Sequence, residues 1–149
     1  MIIFDDKKQN LFFPLTLNRS VGDLRCGILK LRQRLEELLD AEDTTFWMDP
    51  DLQDLYKTRH PDWKLNEPAN QGTLMVNSRL KPNSESISAI KDLKPNQGLV
   101  QGDDIIAFYA PKTISERPHH NRVHQHQILS GYWHQPCHNP LLAICMQQF

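Results

Sequence analysis

The sequence has few cysteines, no long apolar run and almost no net charge. Its three cysteines lack a CxxC spacing, which argues against a disulfide framework and favours reduced, mostly buried thiols. No apolar stretch approaches the ~18 residues of a membrane span, and the apolar start of the chain is too short for a signal peptide. Lysine and arginine number 17 against 18 acidic residues, so the net charge of −1 gives no global attraction for nucleic acid or an anionic membrane. We therefore predict a cytoplasmic protein in which any anion site is local.

The composition is that of a globular protein with generous loops. Hydrophobic residues make up 39% of the 149 residues, and there are ten prolines. A chain of this length suffices for one core, and no internal repeat is present.

Short apolar runs alternate with helical patterns along the first 110 residues. Ile2-Ile3-Phe4, stopped by two aspartates, is typical of a buried first strand. The stretch from Asp23 to Leu39 predicts an amphipathic helix, because its apolar residues recur at helical spacing at Ile28, Leu31, Leu35, Leu38 and Leu39.

The middle of the chain predicts a second strand and a short helix. Residues 44–48 are β-branched and aromatic, and Asp49-Pro50 is a typical helix start. The helix should end at about Arg59, because a residue before proline resists helical geometry. Residues 62–72 are expected to form a surface loop.

Residues 73–110 predict a strand, a helix and a hairpin. The strand covers 73–77, and Asn83 or Ser84 caps a helix that ends before Pro95. Residues 98–101 and 104–110, separated by Gly102-Asp103, are typical of a β-hairpin.

The resulting order is β-α-β-α-β-α-β-β, which favours an α/β fold with a mostly parallel sheet and helices on both faces. Right-handed crossovers place the strand-to-helix loops at the carboxyl edge of such a sheet, where ligands bind.

Arg19, Asp23 and Arg25 lie on the first of these loops. Guanidinium groups match phosphate, and a helix start adds unpaired N–H groups. The two arginines therefore suit a phosphorylated ligand, with Asp23 either capping the helix or binding a divalent cation that bridges the phosphate. The alternative is that Asp23 is only a cap, that Arg25 pairs with it or with Asp5 or Asp6, and that no ligand is involved.

Two separated segments carry a resemblance to a known family: NLFFPLTLNRSVGDLRCGILKLRQRLEE, which follows FDD, and LMVNSRLKPNSESISAIKDLKPNQGLVQGDDIIAF. They resemble the N-terminal sugar nucleotidyltransferase domain of a divergent bacterial family. That family is itself similar to the bifunctional N-acetylglucosamine-1-phosphate uridyltransferase/glucosamine-1-phosphate acetyltransferase. Its opening pattern PLT-x-x-R-x-V-x-D-x-R-x-G-I-L is matched here by Pro14, Leu15, Thr16, Arg19, Val21, Asp23, Arg25, Gly27, Ile28 and Leu29. The resemblance covers about residues 1–110.

The resemblance implies a Rossmann-like nucleotide-diphospho-sugar transferase fold, here incomplete at the C-terminus. The implied reaction joins a nucleoside triphosphate to a sugar 1-phosphate with Mg²⁺ and releases pyrophosphate. It implies catalytic roles for Arg19, Asp23 and Arg25, the arginines contacting phosphate and the aspartate supporting them or neighbouring the metal. Thr16, Lys30 and Asn77 are the candidate cofactor-binding residues; for Lys30 the alternative is a side chain that points into solvent.

The chain also departs from ordinary nucleotidyltransferases. They follow their first strand with a glycine-rich loop, whereas this chain has Asp5-Asp6-Lys7-Lys8 and no glycine before Gly22. The third strand ends in Asn77-Ser78-Arg79, where a Gly-Asp pair with a metal-binding carboxylate is typical. Asn77 suits either a water-bridged metal or backbone bonds at the strand end. The features on which the standard route to catalysis depends are therefore missing.

Residues 111–149 form a second, histidine-rich region in which the resemblance ends. Imidazoles and a thiolate are zinc ligands, although their spacing here fits no standard finger and is equally typical of a compositional tract. The residues concerned are His119, His120, His124, His126, His134, His138 and Cys137. A truncated gene, a shifted reading frame or a short paralogue would each explain this ending.

Two main hypotheses follow. The first is a sugar-1-phosphate nucleotidyltransferase or its nucleotide-binding half. The second is a non-catalytic α/β domain that binds a partner chain or self-associates into a homo-oligomer, with apolar surface exposed after Ala110. A zinc-binding module is a third.

Overall fold

The described part of the protein folds around one large sheet with three α-helices. The structure, a computed structural model, describes residues 1–95 and 97–118 and the backbone of residues 134–136. The strands are β1 (Ile2–Phe4), β2 (Arg25–Cys26), β3 (Leu29–Lys30), β4 (Thr45–Trp47), β5 (Lys64–Leu65), β6 (Leu74–Asn77), β7 (Gly98–Gln101), β8 (Asp104–Tyr109) and β9 (His134–Pro136). The helices are α1 (Leu31–Leu38), α2 (Pro50–Arg59) and α3 (Ser84–Lys91), with 3₁₀ turns at Lys7–Phe12 and Val21–Asp23.

Seven strands form the main sheet in the order β5-β4-β1-β6-β8-β7-β9. β1 is parallel to β4 and β6, β4 is parallel to β5, and β7 is parallel to β9. β8 is antiparallel to both of its neighbours, so it alone opposes the common direction. The predicted α/β class with a mostly parallel sheet is confirmed. The carboxyl ends of β1, β4 and β6 therefore meet at one edge, where β8 begins.

The core consists of two clusters of buried side chains, one on each face of the sheet. Alternating strand residues such as Ile3 and Phe4 contribute to opposite clusters. Each of the described helices contributes to the first cluster, through Leu35 of α1, Leu52 and Tyr56 of α2, and Ile90 of α3. The second cluster is completed by loop residues Ala69, Ala110 and Ile114.

Helices with strong local signals lie where they were predicted. The Asp49 side chain accepts a hydrogen bond from the Asp51 amide at 3.1 Å, and Pro50 occupies the first turn of α2. α2 ends at Arg59, just before His60-Pro61, as expected. Asn83 caps α3 by accepting from the Ser86 amide at 2.7 Å.

The start of the first helix was predicted wrongly. α1 begins at Leu31 instead of Asp23, because β2 and β3 form a small hairpin before it. Gly27 makes the turn of that hairpin with a φ of 81°, a conformation that favours glycine. Ile28, which the pattern placed on the apolar helix face, is instead 87% exposed. The predicted loop 62–72 also contains β5, which extends the sheet beside β4.

Several predictions concern residues outside the described part of the chain. They are the zinc-ligand candidates His119, His120, His124, His126, Cys137 and His138, and the thiol of Cys145. Of the region 111–149, the structure describes residues 111–118 and the backbone of β9, so the proposed boundary at residue 110 stays a prediction. Cys26 is a free, partly buried thiol. None of the helices described is long and apolar enough to cross a membrane.

Candidate functional site at the carboxyl edge

Polar side chains follow two neighbouring parallel strands at the carboxyl edge. Asp5 and Asp6 come directly after β1, and Ser78 and Arg79 come directly after β6. All four residues are buried. Because β8 runs the other way, its first residue, Asp104, reaches the same edge. We call this group, with Asn77 and Lys8, the strand-end network.

Arg79 is the centre of the strand-end network. Its Nε lies 2.9 Å from Asp6 Oδ1, and its Nη2 lies 2.5 Å from Asp6 Oδ2 and 2.9 Å from Asp104 Oδ1. Lys8 Nζ adds a second cation 2.6 Å from Asp104 Oδ1. Two carboxylates are thus matched by two cations, which offsets the cost of placing these charges away from water.

The environment shifts the proton affinities in the direction expected for ion pairs. Burial opposes the charged form of Arg79, but its bonds to Asp6 and Asp104 outweigh this and raise its pKa. Burial likewise favours a neutral Asp104, yet hydrogen bonds from Lys8 and Arg79 lower its pKa overall. Both shifts favour the charged forms of Arg79 and Asp104.

Both polar atoms of the Asn77 side chain form hydrogen bonds at this edge of the sheet. Its Nδ2 donates to Asp6 Oδ2 at 3.0 Å and to the Ile105 carbonyl at 2.9 Å, and its Oδ1 accepts from the Arg79 amide at 2.9 Å. The residue is completely buried. This geometry corresponds to the structural alternative, in which Asn77 bonds at the strand end.

Asp5 connects the first strand to the loop that precedes α1. Its carboxylate accepts from Ser78 Oγ and, at 3.1 Å, from the Val21 amide. Burial raises the pKa of Asp5 despite these bonds. Asp5 therefore fixes the position of the Val21–Asp23 turn relative to β1 and β6.

Asp23 is the second anchor of that loop. Its Oδ1 lies 3.0 Å from Lys30 Nζ and 2.9 Å from Arg32 Nε, and its Oδ2 accepts from the Tyr56 hydroxyl at 2.8 Å. The same hydroxyl accepts from the Ser20 amide at 2.9 Å. Burial alone would raise the pKa of Asp23, but these donors lower it. Asp23 caps no helix, contrary to the capping alternative, since α1 begins eight residues later.

Arg32 is held by more than Asp23. Its guanidinium carbon lies 4.3 Å from the ring centroid of Trp63 and 5.4 Å from that of Phe46, within cation–π distance. Its Nη1 lies 3.3 Å from Glu36 Oε2. The Asp23 anchor is thereby packed onto the helical face of the core.

Arg19 and Arg25 lie on the surface and are not part of either anchor. Arg19 Nε donates to the neighbouring Asn18 side chain at 3.3 Å, and Arg25 Nη1 donates to the Ile28 carbonyl at 2.8 Å. Both side chains are exposed. Within residues 1–95 and 97–118, neither arginine forms an ion pair with a carboxylate, so the predicted pairing of Arg25 with Asp5, Asp6 or Asp23 is absent there.

The predicted site residues thus fall into separate environments. Asp23 and Lys30 are in contact, whereas Arg19 and Arg25 contact only oxygens of nearby loop residues. Thr16 is buried, and its Oγ1 donates to the Gln9 carbonyl at 2.9 Å. Asn77 belongs to the strand-end network.

The described residues do not form a preformed metal site. In that part of the chain there is no group of three or more histidine, cysteine or acidic residues placed to hold an ion. Asp6 and Asp104 are committed to cations, and Asp5 to buried hydrogen bonds. Their donor set therefore does not fit a resident Mg²⁺ ion.

Sequence reasoning missed Arg79, Asp104 and Tyr56. Arg79 and Asp104 are 73 and 25 residues apart from their partners Asp6 and Arg79. The only local signal was the pair of aspartates after a buried strand, which required cations somewhere in the fold. For Tyr56, the only signal in the sequence was an aromatic residue on a predicted helix.

Comparison with known proteins identifies the domain. A family model described as sugar nucleotidyl transferase matches residues 1–136. None of the curated proteins and none of the solved structures compared with the chain matches it. The match covers most of the chain. It extends beyond residues 1–110, which carry the resemblance seen in the sequence. The chain therefore belongs to the sugar nucleotidyl transferase family.

Proposed function

We propose that this domain transfers a nucleotidyl group from a nucleoside triphosphate to a sugar 1-phosphate and releases pyrophosphate. Family membership supports nucleotidyltransferase chemistry, and the resemblance to the divergent family similar to the bifunctional uridyltransferase supports the sugar-phosphate substrate. We further propose that the reaction takes place in the cytoplasm.

One observation carries the proposal: two exposed arginines at the carboxyl edge have no carboxylate partner among the described residues. An arginine already neutralised by an acid has little attraction left for phosphate, whereas Arg19 and Arg25 bond only neutral oxygens. Nucleotidyl transfer needs such cations, because the protein mainly positions the phosphates and neutralises their charge. Both arginines are therefore available to a triphosphate.

The remaining predicted residues support these arginines. Asp23, Tyr56 and Asp5 fix the turn that lies between Arg19 and Arg25, so the two guanidinium groups are carried on an anchored segment. Lys30 is neutralised in part by Asp23, so its proposed role at the phosphates is secondary. Holding the arginines in place before the ligand arrives reduces the ordering cost of binding.

Because the carboxylates at this edge are already paired with cations, a second candidate is favoured. It is a domain that binds nucleotide without catalysing its conversion. Mg²⁺ is implied by the resemblance, but Asp6 and Asp104 are paired with Arg79 and Lys8. This candidate includes partner binding or self-association as a homo-oligomer. It predicts nucleotide binding with no pyrophosphate release.

The deciding experiment is a pyrophosphate-release assay over several pairs of nucleoside triphosphate and sugar 1-phosphate, with Mg²⁺ and with a chelator. We expect Arg19→Ala to lower the rate about 10- to 100-fold, a loss typical of removing one charge-stabilising donor. Lys94→Ala, at an exposed lysine after α3, is the matched control and should retain the wild-type rate. No release with any pair, together with nucleotide binding, would establish the second candidate instead.

A further inference from the structure

Arg34 on α1 turns its guanidinium group toward the hairpin formed by β2 and β3. Its Nη2 donates to the Cys26 carbonyl, next to the hairpin turn. Glu37 lies three residues further along the same helix, which is a spacing that allows an ion pair. Within residues 1–95 and 97–118, however, Arg34 forms no ion pair with a carboxylate. Its positive charge is therefore not neutralised by an acid of the described chain.

The hairpin and the start of α1 have more cations than acids. Residues 24–35 contain four basic residues and no aspartate or glutamate. The four are Arg25, Lys30, Arg32 and Arg34. Asp23, just before this stretch, is paired with Lys30 and Arg32. Arg25 and Arg34 are thus the two cations of this stretch that have no carboxylate partner among the described residues.

Arg25 and Arg34 reach the same hairpin turn. Arg25 Nη1 donates to the Ile28 carbonyl at 2.8 Å, and Arg34 donates to the Cys26 carbonyl. The Cα atoms of residues 26 and 28 are at most ~7 Å apart, because a chain extends no more than ~3.6 Å per residue. The described hydrogen bonds engage one nitrogen of each guanidinium group and only neutral oxygens. Two positively charged groups are therefore held close together at one turn.

Gly27 leaves room for this arrangement. It lies between the two acceptor carbonyls and makes the turn with a positive φ. A Cβ at this position would lie 3.2 Å from Arg34 Nη2. A side chain at residue 27 would therefore push the guanidinium group of Arg34 away from the turn, whereas glycine allows the close approach.

We propose that Arg34 acts with Arg25 to bind the phosphate chain of the nucleoside triphosphate at the hairpin turn. Arg34 is thereby a binding residue in addition to Arg19 and Arg25. The inference rests on the proposed function, which supplies the triphosphate. Two guanidinium groups without carboxylate partners suit a polyanion, because each can donate paired hydrogen bonds to phosphate oxygens.

The structural alternative is that Arg34 only holds the hairpin against α1. A hydrogen bond to one carbonyl does not require a positive charge, whereas attraction for phosphate does. Arg34→Gln removes the charge and keeps a donor, and Arg34→Lys keeps the charge and removes the planar fork. A purely structural role would change the unfolding free energy of these variants and leave their affinity for phosphate unchanged.

The test is calorimetric titration of the full chain with inorganic tripolyphosphate, which presents a phosphate chain without a base or a sugar. We expect Arg34→Gln to weaken binding about tenfold, because it removes a charge-assisted hydrogen bond. Arg34→Lys should recover part of this loss. Lys94→Gln, which removes one positive charge at an exposed lysine after α3, is the matched control and should bind like wild type.

Three results would overturn the inference. They are absence of tripolyphosphate binding by wild type, equal affinity of folded Arg34→Gln and wild type, and a loss in Arg34→Gln that affects only glucose 1-phosphate in a parallel titration. Urea unfolding shows whether Arg34→Gln is folded. If it is not, Arg34→Lys replaces it, and loss of the fork alone should weaken tripolyphosphate binding about threefold. Equal affinity of Arg34→Lys and wild type would then overturn the inference.

Pyrophosphate release from a nucleoside triphosphate and a sugar 1-phosphate tests the proposed function separately. Tripolyphosphate binding that depends on Arg34, in a protein that releases no pyrophosphate, would support the inference and contradict the proposed reaction. Pyrophosphate release at the wild-type rate by an Arg34→Gln variant that also binds tripolyphosphate normally would support the reaction and overturn the inference.

Discussion

The strand-end network and the segment of residues 11–25 lie at the same edge of the sheet. They differ in whether their charged side chains are buried in ion pairs or exposed without an ionic partner. In the network, Arg79 and its two carboxylate partners are largely withdrawn from water and match one another. In the segment, Arg19 and Arg25 are exposed and bond only neutral oxygens. A buried, matched network stabilises a fold, whereas exposed, unmatched cations are free to bind an anion.

The comparison also separates the two groups of aspartates. Asp6 and Asp104 hold Arg79 between two strands, and Asp23 holds Lys30, Arg32 and Tyr56 below the exposed arginines. Aspartates at the carboxyl edge therefore act mainly as anchors. We propose that ligand binding depends on the exposed arginines instead.

The largest expected effect comes from breaking the strand-end network. Arg79→Leu leaves Asp6 and Asp104 buried without their shared cation, and we expect a loss of about 3–5 kcal/mol in the free energy of unfolding. Urea denaturation measures it. Lys91→Leu removes a cation from an exposed pair with Asp40 and should cost only ~0–1 kcal/mol. Equal losses in the two variants would show that Arg79 is not the centre of a buried network.

A smaller effect is expected at the Asp23 anchor. Tyr56→Phe removes the hydroxyl that donates to Asp23 and accepts from the Ser20 amide, which should cost about 1–3 kcal/mol in unfolding free energy. Thr58→Val removes an exposed hydroxyl from the same helix and serves as the control. If Tyr56→Phe were as stable as wild type, Asp23 would not hold the arginine-bearing segment through this residue.

The smallest effects on stability concern pH, and the contributions of Asp5 and Asp23 should depend on pH in opposite directions. The pKa of Asp23 is lowered from 3.8, so its ionised form contributes stability above pH 3.8 that is lost as the pH falls below that value. The pKa of Asp5 is raised from 3.8, so its protonated form contributes stability that is present below pH 3.8 and lost as the pH rises through the raised value.

Unfolding free energies of wild type, Asp23→Asn and Asp5→Asn across acidic pH would resolve these contributions. The difference between wild type and Asp23→Asn should shrink below pH 3.8, and the difference for Asp5→Asn should change mainly above it. Parallel curves for the two variants would mean that their environments are not opposed.

Local signals were enough to predict much of the fold. Asp49-Pro50 and His60-Pro61 mark both ends of α2, and the apolar runs locate β1, β4 and β6. The hairpin before α1 escaped prediction because Ile28 fits the helical period set by Leu31 and Leu35 as well as it fits a turn. Only the positive φ of Gly27 distinguishes the two, and a sequence does not display it.

The candidate site was less predictable than the fold. Arg19, Asp23 and Arg25 are close in sequence, and their spacing suggested one cluster. The structure shows that the cations for Asp23 come from Lys30 and Arg32 and its hydroxyl donor from Tyr56, a contact between residues 33 positions apart. Which cation pairs with which carboxylate depends on such distant contacts, so residue types alone could not decide it.

We propose that the exposed arginines bind a ligand, whereas the buried ion pairs stabilise the fold. Thermal unfolding of wild type and of the double variant Arg19→Ala/Arg25→Ala, each with and without a nucleoside triphosphate, tests it most directly. We expect the double variant to unfold within about 0.5 kcal/mol of wild type without nucleotide and to lose the stabilisation that nucleotide gives the wild type. A double variant that nucleotide stabilises as much as it stabilises wild type would contradict the account.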